Sequence, residues 1–179
     1  MSLKMTSEPL LAADKLNNDP RLAEAKKLIL AAVAEHQETL VSVRPPRPEL
    51  AANYEHQLEQ FGAIRGGKTF FPYLGSGIGN GPFVELADGS VKLDLITGIC
   101  VHGYGHSHPR LINAGIDAAM SDTVMQGNLQ QNTSSCDIVK LLTDVACESG
   151  AGLKHCFLTT SGAMANENSL KMAFQKNYP

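Results

Sequence analysis

Apolar positions recur at helical spacing after Pro20, where Leu22, Ala25, Leu28, Ile29, Ala32 and Val33, with His36, outline an amphipathic helix to about Leu40. Arg44-Pro45-Pro46-Arg47-Pro48 cannot continue it and predicts an extended connector. A second helix is expected from Glu49 to about Phe61, stopped by Gly62. Between Gly66 and Gly98 the texture changes to short β-type runs. Phe83–Leu86 and Val91–Leu95 flank Asp88-Gly89, which predicts a hairpin. Pro109 opens a helix to about Met120, and residues 121–133 read as polar and irregular. Ser134, with Asp137 three residues on, predicts the capped start of a helix that ends at Gly150-Ala151-Gly152. A short buried strand, Lys154–Thr159, and a last helix from Gly162 to about Lys176 complete the pattern.

Composition narrows the classes this pattern can serve. Among 179 residues, 43% are hydrophobic and 18% charged, which is globular rather than disordered. A net charge of −3 and the lack of any basic block argue against nucleic acid as the main partner. No apolar run reaches the roughly 18 residues that span a bilayer, so no membrane partner is expected. The N-terminus carries acids and lacks the continuous apolar core of a signal peptide. Cys100, Cys136, Cys147 and Cys156 form no CxxC pair, so the expectation is buried free thiols in a reducing, cytoplasmic setting.

Two glycine-rich segments are candidates for chemistry. Gly75-Ser76-Gly77-Ile78-Gly79-Asn80-Gly81 fails the dinucleotide fingerprint in register and leads into a hairpin, so a flexible loop is expected. Thr159 to Glu167 (TTSGAMANE) instead follows a strand-like run and opens a helix. The unpaired N–H groups of a first helical turn, with the helix dipole behind them, attract anions. Gly162 and Ala163 leave their amides accessible, Thr160 and Ser161 add hydroxyls, and the first acid is Glu167, a turn later. Ser161 as a simple cap, with small residues for close packing, accounts for the same residues equally well.

The wider pattern separates these readings. Asp88-Gly89, Leu93-Asp94, Thr97-Gly98-Ile99, Gly105-His106-Ser107-His108-Pro109, Asn132 and Ser161-Gly162-Ala163-Met164-Ala165-Asn166-Glu167 stand in an order that resembles the class III (ornithine/4-aminobutyrate type) pyridoxal-phosphate-dependent aminotransferases. The resemblance covers about residues 70–179 and is weak over residues 1–69. It implies the α/β fold-type-I PLP-transferase fold, a pyridoxal 5'-phosphate cofactor, an amino-acid or amine donor with a 2-oxo acid or aldehyde acceptor, and a homodimer. By the same resemblance, Gly162 and Ala163 bind the cofactor phosphate with Ser161 in support, and Ile99 borders the substrate pocket. Met164 stands where the family usually has an acid.

His102, His106 and His108 lie within seven residues and raise a metal-dependent hydrolase as an alternative. The intervening glycines and the resemblance both favour a structural loop, so no metal is expected. Lys171 is expected to be solvated, and the family's Schiff-base lysine, pyridine-nitrogen aspartate and carboxylate-binding arginine have no counterpart here; no catalytic residue is assigned. The chain therefore reads as the N-terminal part of an aminotransferase. It comprises a helical segment (1–69), a small-domain hairpin and loop region (70–109) and the start of a large mixed-sheet domain (110–179). A non-catalytic interaction fragment is the remaining alternative.

Overall fold

The computed structural model describes residues 11–122 and 131–178. Contacts divide the chain into two compact units, Met1–Ser121 and Asp122–Pro179, of which the first holds the buried residues.

In the first unit, a short helix α1 (Ala12–Asn17) precedes α2 (Pro20–Gln37), whose first turn is capped by Asp19 accepting from the Arg21 N–H. The half-buried stripe of α2 is Leu22, Lys26, Leu30, Val33 and Gln37, leading to buried Leu40. This differs from the expected face, since Leu28 and Ile29 are exposed. Two polar side chains turn the helix: Lys26 pairs with Asp117, and the Gln37 side-chain amide donates to the Gly79 carbonyl at 2.7 Å.

Helix α3 (Pro48–Arg65) buries Tyr54 and Gly62. It does not stop at Gly62. The helix runs one turn further, and Gly66 (φ 82°) ends it with Gly66 N–H on Ala63 O and Gly67 N–H on Gly62 O, a paired closure that needs a left-handed residue. The Tyr54 hydroxyl donates to Pro72 O (2.8 Å) and accepts from Leu74 N–H (3.0 Å), fixing the approach to the sheet.

The sheet is antiparallel in the order β1 (Gly75–Asn80), β2 (Phe83–Leu86), β3 (Val91–Leu93). The predicted hairpin forms: Gly89 takes φ 76°, and the Asp88 carboxylate accepts from Ser90 N–H at 2.9 Å. The glycine-rich run expected as a loop is instead strand β1, paired with β2 through Gly79↔Val84 and Asn80↔Phe83 with an irregularity after Gly75. Arg44 adds a bridge to Val91 from the connector, and its guanidinium pairs with Glu85 at 3.0 Å. The core where these segments meet is small: Leu40, Tyr54, Leu86 and Val91, with Asp88 and Ser90.

Past β3, the four-residue turn α4 (Thr97–Cys100) leads to the histidine loop and α5 (Pro109–Met120), which packs on α2. In the second unit, α6 (Thr133–Glu148) is capped by Asn132, whose side chain accepts from Ser135 N–H, rather than by Ser134. Helix α7 spans Gly162–Asn177. Most of the segment expected as irregular, residues 123–130, lies outside the described residues.

Two further expectations fail. Lys154–Thr159 is not a strand and not buried, because no strand pairs with it among the described residues and an extended segment without a ladder leaves Lys154, His155 and Phe157 exposed. The cysteines are free but not buried: Cys100, Cys136 and Cys147 are exposed and Cys156 half-buried, and apolar neighbours such as Val101, Leu141 and Phe157 are exposed with them. Among the described residues, no helix is long and apolar enough to cross a membrane.

Candidate functional site

The start of α7 is built by Ser161. Its backbone is extended (φ −160°, ψ 161°), its Oγ accepts from Met164 N–H at 3.2 Å, and its carbonyl accepts from Ala165 N–H at 3.0 Å. That arrangement serves the third and fourth amides of the helix. The N–H groups of Gly162 and Ala163 have no acceptor among the described residues. An open cleft of about 490 Å³ is lined by their chain neighbours Leu158, Thr159, Thr160 and Met164, with Ser135 and Asn168, but not by Ser161, Gly162 or Ala163 themselves.

The donor set suits a dianion. Two amides lack acceptors and the first turn holds no acid. Glu167 is spent on Lys171 at 2.6 Å, and this hydrogen bond holds its carboxyl below the usual range. Ser161 Oγ, accepting from Met164, still has its own O–H to donate. A Cβ built on Gly162 would meet nothing within 4 Å, so that face of the helix start is open. The residues present therefore fit a phosphate group. Met164 contributes only its backbone to the cap, so the missing acid removes negative charge without removing a donor.

Ile99, in the first unit, sits in a turn of unusual conformation. Thr97, Gly98, Ile99 and Cys100 all have positive φ (52°, 58°, 57° and 68°). For the three non-glycine residues this costs about 1–2 kcal/mol each. Ile99 is 84% exposed, so its own side chain secures nothing. The turn is held by its ends. Asp94 Oδ1 accepts from Ile96 N–H (2.9 Å) and Thr97 N–H (2.8 Å), while His102 N–H donates to Thr97 O (2.9 Å). Asp94 Oδ2 accepts from His106 Nε2 at 2.8 Å. That hydrogen bond, foremost, holds the Asp94 carboxyl below its usual range, with the Ile96 and Thr97 amides adding to it against partial burial.

The three histidines each have a separate role in this loop. His106 donates its ring N–H to Asp94 and its backbone N–H to Gly81 O. The His102 ring lies on the His106 ring, with centroids 4.1 Å apart. His108 caps α5, its Nδ1 accepting from Arg110 N–H. Among the described residues, no group of three or more His, Cys, Asp or Glu is arranged to hold a metal ion. Lys171 is exposed and paired along its own helix.

Asp94 and Gln37 were missed as contributors. Asp94 carried a signal, because an aspartate two and three residues before a turn can serve the two following amides. Gln37 carried none, since its partners lie 42 and 70 residues away.

A family model described as aminotransferase class-III matches residues 73–179. The chain is similar to the acetylornithine aminotransferase of Caldanaerobacter subterraneus subsp. tengcongensis, with 33% identity over 95 residues, 53% of this chain and 23% of that protein. Similar matches are found to acetylornithine aminotransferases of Bacillus anthracis (35%; 53% and 23%) and Methanocaldococcus jannaschii (32%; 53% and 22%). The matched stretch thus spans under a quarter of these relatives' length.

Proposed function

The chain belongs to the class-III aminotransferases, and from that premise we propose that it forms the N-terminal portion of a pyridoxal-phosphate-dependent enzyme. That enzyme moves an amino group from an amino acid or amine to a 2-oxo acid or aldehyde. The amides of Gly162 and Ala163 hold the phosphate of the cofactor, and the Ser161 hydroxyl donates to it. Bound there, pyridoxal phosphate supplies the electron sink that amino transfer requires. This part of the chain orients that group through its phosphate, while Ile99 borders the amino donor. No residue here is assigned a proton-transfer role.

The observation that carries the reading is the pair of amides without acceptors at a helix start free of acids. The helix dipole and the two N–H groups reinforce one another there. The family match supports fold type I, and the reading places residues 70–109 in the small domain and has 110–179 open the large one. A homodimer in the cytoplasm completes the proposal.

Substitution Gly162→Val in the full-length enzyme tests it. The first side-chain carbon has open space, so the apo protein should keep its melting temperature. The added branch shields both amides, and cofactor affinity should fall about tenfold or more, in the range of a lost charge-assisted hydrogen bond. Unchanged cofactor affinity removes this helix from the site.

A further inference from the structure

The turn that carries Ile99 has no packing to hold it. Three of its four residues are non-glycine in left-handed backbone, two of them, Thr97 and Ile99, β-branched, and the Ile99 side chain lies in solvent. Such a conformation persists only where its surroundings over-determine it. Besides the backbone bonds from Ile99 N–H to Ile96 O and from His102 N–H to Thr97 O, what surrounds it is one side-chain clasp. Asp94 takes both amides that enter the turn on one carboxylate oxygen and His106 on the other. His106 in turn is anchored to the sheet: its N–H donates to Gly81 O, and its Cβ lies where a Cβ on Gly79 would stand 2.5 Å away. The contact is well covered, with side chains 13% and 18% exposed, so solvent does little to weaken it. Rigidity thus passes from β1 through His106 to Asp94 and on to the turn.

We propose that Asp94 and His106 form a positioning pair that holds Thr97–Cys100 in its left-handed turn and thereby sets where Ile99 meets the amino donor. The proposal rests on the reading of Ile99 as bordering the substrate pocket. It makes the pair responsible for donor recognition, not for cofactor binding or chemistry. A neighbouring loop displaced by an ångström or less is enough to change substrate recognition severalfold.

The experiment uses the full-length enzyme with His106→Leu and His106→Gln. Leucine removes the donor, whereas the glutamine amide can reach the place of Nε2 and donate to Asp94 Oδ2. For H106L, the KM for the amino donor should rise about tenfold, with kcat and pyridoxal-phosphate affinity changed less than about threefold. H106Q should return the KM to within about threefold of the parent. An unchanged donor KM in H106L overturns the proposal, as does a loss of cofactor affinity that matches the rise in KM. If H106L does not fold, Asp94→Asn takes its place, since its amide oxygen still serves Ile96 and Thr97; a folded D94N with unaltered donor KM also overturns it. Hydrogen exchange at the Ile96 and Thr97 amides separates this proposal from the functional reading. Both amides should exchange about tenfold or more faster in H106L but not in H106Q, even if the parent enzyme transfers no amine. Unchanged exchange overturns the clasp.

Discussion

Replacing Gly79 by alanine perturbs the joint between the sheet and the histidine loop. The new Cβ would stand 2.5 Å from His106 Cβ, 2.6 Å from the Phe83 carbonyl and 3.0 Å from His106 Cγ. None of these is the free end of a flexible side chain, so backbone must shift. Overpacking of this kind costs about 1–3 kcal/mol. Gly79 also donates to Ser107 Oγ (3.2 Å) and accepts from Gln37 (2.7 Å), and weakening the two adds up to about 1 kcal/mol. The sum is about 1–4 kcal/mol, which is about a 5- to 1000-fold loss of protection in the β1–β2 ladder. Hydrogen exchange followed by mass spectrometry reads this directly. The double variant G79A/H106G removes two of the three clashing atoms, and there G79A should cost at least about 1 kcal/mol less than in the parent. Protection within about threefold of the parent in G79A alone, or strict additivity in the double variant, refutes the close approach as the reason for glycine.

Ser161→Ala removes the acceptor of Met164 N–H and should destabilise the start of α7 by about 1 kcal/mol, with Ser161→Asp losing little by the same exchange measurement. Because the folded Asp94 carboxyl titrates below its unfolded value of about 3.9, its contribution is fully present above that value and is lost as pH falls through the folded one. The α4 turn should therefore hold its protection at neutral pH and lose it only below about pH 4, and D94N should flatten that dependence; loss near pH 6 contradicts the assignment. Lys171→Met removes an exposed pair with Glu167 and should leave cofactor affinity and amino transfer within about twofold.

Elements defined by local pattern were legible. Pro20 and Pro109 mark helix starts, and Asp88-Gly89 marks the hairpin, because these signals act within a few residues. What was misread depends on partners distant in sequence. β1 was hidden because its glycines carry no strand propensity; of these, Gly79 is required by His106 and Phe83, which crowd it. The inward face of α2 was misassigned because Lys26 and Gln37 satisfy partners on α5, β1 and the histidine loop, outweighing the apolar pull of Leu28 and Ile29. The strand at Lys154–Thr159 was expected from an apolar run, which records a preference for burial but cannot supply a neighbour. In the candidate site, the Ser161 cap and the bare amides of Gly162 and Ala163 could be read locally. The left-handed turn at Ile99 could not, because it is imposed by the Asp94–His106 contact across 12 residues.

The two places for which a role is proposed are both points of exposed backbone. At Gly162 and Ala163 the first-turn amides have no protein acceptor among the described residues, as at Thr133 and Ser134 of α6, but here both residues are small and the helix start is open. At Ile99 the backbone takes a conformation its side chain opposes and gains no burial in return. Elsewhere in the first unit several polar groups are matched, Asp88 with the Ser90 N–H, Arg44 with Glu85, and Tyr54 with both Pro72 and Leu74, while Ser90 Oγ and Asn113 Oδ1 are buried without a partner among the described residues. A chain able to satisfy those groups has the means to satisfy the others, and small changes would do so. An acid in the first turn of α7 would compensate its amides, and glycine at position 99 would relieve the turn. Each of these changes removes what the proposed roles need, an attractive field for phosphate in one case and a side chain at the edge of the donor site in the other. Local cost at these two points is therefore what the proposed binding roles require.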